Sequence, residues 1–166
     1  MIPIVLVPAH LRLGLAGDGP AAARRARRLV EAGATPIPVS ADPALLPKLD
    51  VLWIADLAEP DAVALATAAR ARKILVNVED RPDWCDFHNA AELRRGGLLI
   101  AVSTGGESPG LAGAIRDRIG ALFGRAWAGR VAELGVSRRT WRAEGRSLPE
   151  LARLTAQAIE AAGWLA

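Results

Sequence analysis

The sequence predicts an α/β protein built on a Rossmann-like parallel sheet, and three observations carry that prediction. Short aliphatic runs alternate with helix-forming segments as far as residue 78; a glycine-rich turn, "GDGPAA" (residues 17–22), joins a strand to a helix; and polar residues crowd directly after a strand in "NVEDRPDWCDFH" (residues 77–88). Strands that alternate with helices imply parallel crossovers and a doubly wound sheet.

"IPIVLV" and "LRLGLAG" are aliphatic runs broken by "PAH", and both read as strands. From Pro20 the period changes: Ala22, Ala26, Leu29 and Val30 share a helical stripe, Arg24, Arg25, Arg27 and Arg28 point elsewhere to form a solvated face, and Gly33 ends the helix. "TPIPVS" is a second strand whose prolines place it toward an edge. "DVLWIAD" is a third, "DAVALATAARAR" a helix, and "KILVNVED" a fourth strand running into the polar stretch. Beyond Arg94 and Arg95, "GGLLIAVSTGG" is another strand. Ser108 and Pro109 then start a helix that repeats Leu111, Ile115 and Ile119 at four-residue spacing. The remainder is helical in character, with a capping box expected from Ser147 to Glu150 and a stripe of Leu151, Leu154 and Ala158.

At 166 residues the chain has room for one well-buried core and an annex. No run approaches the roughly 18 apolar residues of a membrane helix, so no membrane partner is expected. "MIPIVLVPAH" has no basic segment ahead of its apolar run and reads as a strand, which makes the cytoplasm the expected location. The single Cys85 excludes an intrachain disulfide. The net charge of +3 comes mostly from arginine, whose planar fork suits carboxylates and phosphates. With no Tyr and five scattered Trp there is no stacking platform, which argues against nucleic acid as the anion.

Three stretches carry candidate chemistry. In "GDGPAA" Gly17 permits a tight turn, Asp18 lies between the glycines, Gly19 lets backbone approach a pyrophosphate, and Pro20, Ala21 and Ala22 open a helix whose N-terminus faces the anion. The acid expected about 20 residues later is imperfect, with Ser40 at the strand end and Asp42 beyond it, so NAD against NADP stays open. "STGGESPG" (residues 103–110) sets hydroxyls and two glycines between a strand and a capped helix, either as free backbone N–H groups for a carboxylate or phosphate or as a simple capped turn. In the polar stretch Asp80 stands at a strand's carboxyl end, where open α/β sheets bind ligands. Glu79, Asp83 and Asp86 read as solvated loop charges, Cys85 as a structural thiol, His88 as a candidate titrating group and His10 as incidental. No pair of Cys or His ligands at metal spacing exists, so no permanent metal site is expected.

Together, "VNVEDRPDWCDFH", "LLIAVSTGGESPGLAGAIRDRI" and "GDGPAAARRARRLVEAGA" resemble the siroheme synthase N-terminal family of bifunctional precorrin-2 dehydrogenases and sirohydrochlorin ferrochelatases. The resemblance runs through most of the chain and rests on the strand ending in N-V-x-D and on the V-S-[ST]-G-G-x-S-P signature. It implies an NAD-binding Rossmann domain over residues 1–92, a dimerisation segment over 93–130 and a helical tail over 131–166, assembled as a homodimer. It places the aspartate serving both reactions on Asp80 and the serine near the tetrapyrrole site on Ser108; Ser103, Gly105, Gly106, His88 and Arg116 are the accompanying candidate substrate contacts, and Arg94 and Arg95, like Arg116, suit the tetrapyrrole's carboxylates. Precorrin-2 and sirohydrochlorin are the implied substrates, NAD the cofactor, and Fe²⁺ or Co²⁺ a metal substrate that Asp80 meets in passing. Three positions depart from the family pattern: Pro20, "ADLAEPDAV" after the third strand, and Ala90. The alternatives are a single-activity chelatase or dehydrogenase of the same pathway, or a non-catalytic NAD-sensing Rossmann domain.

Overall fold

A computed structural model describes residues 1–165 and divides into two compact units, Met1–Asn89 and Ala90–Ala166. The first contains β1 (Leu13–Ala16), α1 (Pro20–Glu31), β2 (Ile37–Val39), β3 (Val51–Ile54), α2 (Glu59–Ala71) and β4 (Leu75–Val78). All pairings are parallel, in the order β2-β1-β3-β4. The chain winds outward from β1 to β2, then returns to β3 and β4, so the direction reverses between β1 and β3. Ligands of open α/β sheets bind at such a reversal.

Period-two alternation sends side chains to opposite faces of the sheet, and each face has its own helix. Leu52, Ile54, Val76 and Val78 meet Ala62, Leu65, Ala66 and Ala69 of α2, with Leu46 and Leu49 filling the side. Leu13, Val51 and Trp53 face the other way, toward Leu29 of α1 and Ala34. The helix stops are local: Gly33 at φ 84° and Lys73 at φ 60° both turn left-handed, and the amides of Ala34 and Ile74 close back onto Leu29 and Ala69.

Two expectations for this unit fail. Residues 2–7 form no strand, and Ile2, Ile4, Val5 and Val7 are exposed. Both edges of β1 are already taken by β2 and β3, Pro3 removes a donor from the run, and Pro8 ends it in a 3-10 turn. Val30 is also exposed, because Leu29 and the N-terminal Ala21 and Ala22 are the residues α1 buries.

The loop after β4 is folded back against its parent strand. Val76 donates to an Asp86 carboxylate oxygen (2.9 Å) while its carbonyl accepts from the Asp86 amide (2.7 Å). Cys85 does the same for Val78, its Sγ accepting from the Val78 amide (3.3 Å) and donating to the Val78 carbonyl (3.2 Å). Buried Asn77 donates to the Phe87 carbonyl (2.9 Å) and accepts from Asn89 (2.7 Å), which in turn accepts from the Trp53 indole (3.0 Å). Asp86 is exposed, as expected of a loop charge, but it is not free: it also holds Arg70 at 2.9 Å. Cys85 is structural as expected, and burial, ahead of any neighbouring charge, raises its pKa.

The second unit opens with an antiparallel hairpin, β5 (Ala91–Arg95) and β6 (Leu98–Val102), turned at Gly96 and Gly97. The hairpin's first strand was not expected: "AELRR" carries three charges in five residues, and only Leu93 is buried. Then come α3 (Pro109–Leu122), α4 (Trp127–Ala143) and α5 (Leu148–Ala161). Ser108 caps α3 through the Leu111 amide, as expected. The supposed core stripe of that helix does not point inward, since Leu111 and Ile115 are exposed and Ala112 is the buried residue. At α5 the Glu150 carboxylate accepts from both the amide (2.9 Å) and hydroxyl (2.7 Å) of Ser147, which lowers its pKa. Leu151 of the expected stripe is fully buried.

Leu65 lies wholly within the core of the first unit, so Leu65→Ala should destabilise it by about 2–5 kcal/mol in urea unfolding followed by Trp fluorescence. Since only the thiolate reacts, the raised pKa and four polar contacts of Cys85 should make its alkylation at pH 8 about tenfold or more slower than that of a free thiol. Unfolding in urea should abolish that protection, and equal rates in folded and unfolded protein would contradict it.

Candidate functional site

Because the four strands are parallel, their carboxyl ends share one edge, and the turns leaving them gather the candidate residues of the first unit there. Gly17 directly follows β1 and Ser40 directly follows β2, while Asp56 stands two residues after β3 and Asp80 two residues after β4.

The glycine turn has a specific steric cause. Gly17 adopts φ 108°, and a Cβ there would lie 1.8 Å from the Ala55 carbonyl oxygen. No other residue satisfies both conditions. Ala21, Ala22 and Ala55 then form a small cluster in which helix and sheet pack closely. Pro20 takes the first helical position, where a missing N–H costs nothing, and Asp18 is exposed at the tip of the turn.

Gly19 was expected to leave room for a pyrophosphate, and that space holds the Asp56 carboxylate. A Cβ on Gly19 would come within 2.5 Å of its carboxyl carbon, and the Ala22 amide donates to Asp56 Oδ2 at 2.8 Å. Gly19 has no side chain with which to cap α1, so Asp56 supplies the cap from the neighbouring turn. An acid so placed on a helix dipole contributes about 0.3–1 kcal/mol. The bare turn at Gly17 and Gly19 ahead of α1 is of the kind that receives a dinucleotide, and the carboxylate filling the space at Gly19 belongs to an exposed residue. The sequence signal for Asp56 was an acid just after the strand beside the reversal, but its contact with α1 depends on tertiary structure.

Asp80 is exposed and left-handed, with φ 59°, a conformation that aspartate tolerates better than most side chains. Its two neighbours are both tied to helices. Glu79 pairs with Arg24 (3.5 Å) and Arg25 (3.9 Å) of α1, and Arg81 pairs with Glu59 (2.7 Å) at the start of α2. Glu79 is thus a strap, not the solvated charge expected, and the arginine face of α1 is partly engaged. Each such pair contributes about 0–1 kcal/mol, so their effect lies in placing the Asp80 backbone.

Ser40 is exposed at the end of β2 and accepts from the Asp42 amide (3.1 Å), while Asp42 caps the following 3-10 turn through the Ala44 amide (2.9 Å). His88 is exposed in the loop after β4. Ser103, Gly105, Gly106 and Ser108 belong to the second unit, in a turn with φ 71° at Gly105 and 93° at Gly106. The expectation of free amides there needs correcting. Gly105 donates to Ser103 Oγ (3.2 Å), Ser108 to Thr104 Oγ1 (3.1 Å) and Glu107 to the Thr104 carbonyl (3.2 Å). The turn satisfies those three amides itself, two through its own hydroxyls and the third through the Thr104 carbonyl. Arg116 pairs with Asp117 (2.7 Å), Arg94 with Glu92 (2.7 Å), and Arg95 donates to the Phe123 carbonyl (3.0 Å). Among the described residues no group of three or more Cys, His, Asp or Glu is gathered to hold a metal ion, and no helix is long and apolar enough to cross a membrane.

Comparison with known proteins agrees with this geometry. The family model described as "Putative NAD(P)-binding" matches residues 4–91, and that described as "Sirohaem biosynthesis protein central" matches residues 95–122. A siroheme synthase of Chromobacterium violaceum is 35% identical over 161 residues, covering 82% of this chain and 34% of the relative. One from Thiobacillus denitrificans is 40% identical over 92 residues, 55% of this chain and 19% of the relative. The chain thus spans about a third or less of the length of the curated relatives it matches. A solved structure titled "SirC, precorrin-2 dehydrogenase" superposes with a TM-score of 0.76 at 18% identity, covering 96% of this chain and 89% of the other, and so shares its fold. With the NAD(P)-binding model spanning more than half of its length and the sirohaem segment following directly, the chain belongs to the siroheme synthase N-terminal domain family.

Proposed function

We propose that the chain acts in siroheme biosynthesis as a precorrin-2 dehydrogenase, and that it then inserts Fe²⁺ into the product sirohydrochlorin. The observation that carries the proposal is Asp80, a carboxylate held two residues beyond β4, on the same sheet edge as the glycine turn. Oxidation of precorrin-2 removes a hydride and a proton. A bound NAD supplies the hydride acceptor, with Gly17, Asp18, Gly19, Pro20, Ala21 and Ala22 forming its turn and Ser40 beside the ribose. Asp80 is the base: exposed and acceptor-only when ionised, it takes the proton from the substrate carbon. The straps from Glu79 and Arg81 keep that carboxylate placed while substrate binds. In the second reaction Fe²⁺ replaces two pyrrole protons, and the same carboxylate accepts protons or passes on the metal substrate.

The tetrapyrrole's carboxylates suit the arginine-rich composition, with His88, Ser108 and Arg116 as contacts. Residues 93–130 would form the dimerisation segment of a homodimer, between a cofactor domain over 1–92 and a tail over 131–166. The exposed Leu111, Ile115 and Leu122 of α3 support that role, because apolar residues grouped on one helix mark contact surfaces. A chelatase without efficient NAD use is the second reading, favoured by the Asp56 carboxylate against Gly19.

The test is anaerobic incubation with enzymatically generated precorrin-2, with and without NAD⁺, followed by absorbance, then addition of Fe²⁺ or Co²⁺. NAD-dependent oxidation and accelerated metal insertion are expected; insertion without oxidation would favour the chelatase. Asp80→Ala should lower oxidation by about 100-fold or more while NAD⁺ affinity stays within a few fold. Unaltered turnover in that variant would remove Asp80 as the base.

A further inference from the structure

We propose that Asp56 is a resident competitor for the pyrophosphate position, a carboxylate of the chain's own that a dinucleotide must displace before it can bind. The inference rests on the cofactor reading given above and adds to it a residue that sets the affinity. Two independent contacts define the position. The carboxylate fills the space left by the missing side chain of Gly19, and it accepts the Ala22 amide at 2.8 Å in the first turn of α1. Those are the two features through which a glycine turn ahead of a helix receives a phosphate: room for close approach, and an unpaired donor at the positive end of the helix.

The side chain is held there by its backbone. Asp56 has φ 57°, at the point where the chain leaves β3 for α2, and the preceding residue is locked by the Ala55 amide donating to the Ala16 carbonyl (3.0 Å). Ala55 in turn presses its carbonyl against Gly17. With Ala55 fixed from both sides, the first bond free to move the carboxylate is the χ1 torsion of Asp56. The residue is exposed, so rotation returns the charge to water.

A dinucleotide brings its own negative charges to α1. If the carboxylate stayed, like charges would meet across one hydrogen-bond length; if it leaves, the helix exchanges one anion for another. Either way the resident charge weakens binding, while in the empty protein it stabilises α1. A merely structural cap would behave differently, since loosening the turn would weaken binding.

Calorimetry with NAD⁺ and NADP⁺ on the full chain and on Asp56→Asn, with thermal melts of each unliganded protein, separates these cases. Asparagine tolerates the left-handed backbone and keeps an acceptor for Ala22 without the charge. The expected result is a lower unliganded Tm together with NAD⁺ binding tighter by about two- to fivefold, the effect of removing a charge at a helix end. Asp56→Gly, free of strain at this φ, is the second variant should Asn fail to fold. Binding by the variants alone would support the proposal most strongly. Equal or weaker binding in both variants, with the unaltered chain still binding, would overturn it and leave the cofactor reading intact. No binding of NAD⁺ or NADP⁺ by any of the three proteins would overturn both.

Discussion

The structure depends on one close approach, that of the Ala55 carbonyl to Gly17 at the reversal between β1 and β3. Parallel strands need long connections, and here two of those connections leave adjacent strands at the same edge and touch. With no Cβ at position 17, the turn after β1 drops low enough for α1 to begin directly above the sheet. Ala21 and Ala22 are then close enough to Ala55 that only small side chains fit between helix and strand. The position of Asp56 follows from the same contact, and so does the start of the arginine face that reaches Glu79. A single steric requirement thus connects the turn, the helix start and the strap beside Asp80.

The polar stretch after β4 shows how a sequence dense in functional groups divides its labour. Of its four carboxylates, Asp86 serves the strand edge and Arg70, Glu79 serves α1, and Asp80 between the two straps is exposed at the strand end. Cys85 and Asn77 are spent on holding the loop. Hydrogen bonds along β4, with Trp84 and Phe87 packed against the core, hold the loop while leaving the Asp80 carboxylate exposed.

Much of this was legible before any coordinates. The alternation of strands and helices, the edge position of the proline-bearing β2, the left-handed Gly33, the caps at Ser108 and Ser147, and the glycine turn all follow from local rules, and all are present. What failed depended on partners that local pattern does not reveal. Residues 2–7 have the composition of a strand but no open edge of β1 to join. Leu111 and Ile115 have core spacing, yet the residue that α3 buries is Ala112. The charged β5 pairs with β6 because a Gly-Gly turn brings them together, not because its side chains favour a strand. In the candidate site, Asp80 and the glycines were visible from their position after strands, whereas Asp56 and Glu79 acquire their roles only from elements 34 and 55 residues away.

The folding back of residues 81–86 has a consequence beyond placing Asp80. β4 is the outermost strand on its side of the sheet, and in a strand of four residues the outward-facing groups are the N–H and C=O of Val76 and Val78. Asp86 and Cys85 satisfy them all. An edge so completed offers no template to a strand from another molecule. At this edge the chain therefore carries its own protection against sheet-to-sheet association, built from the loop that presents Asp80.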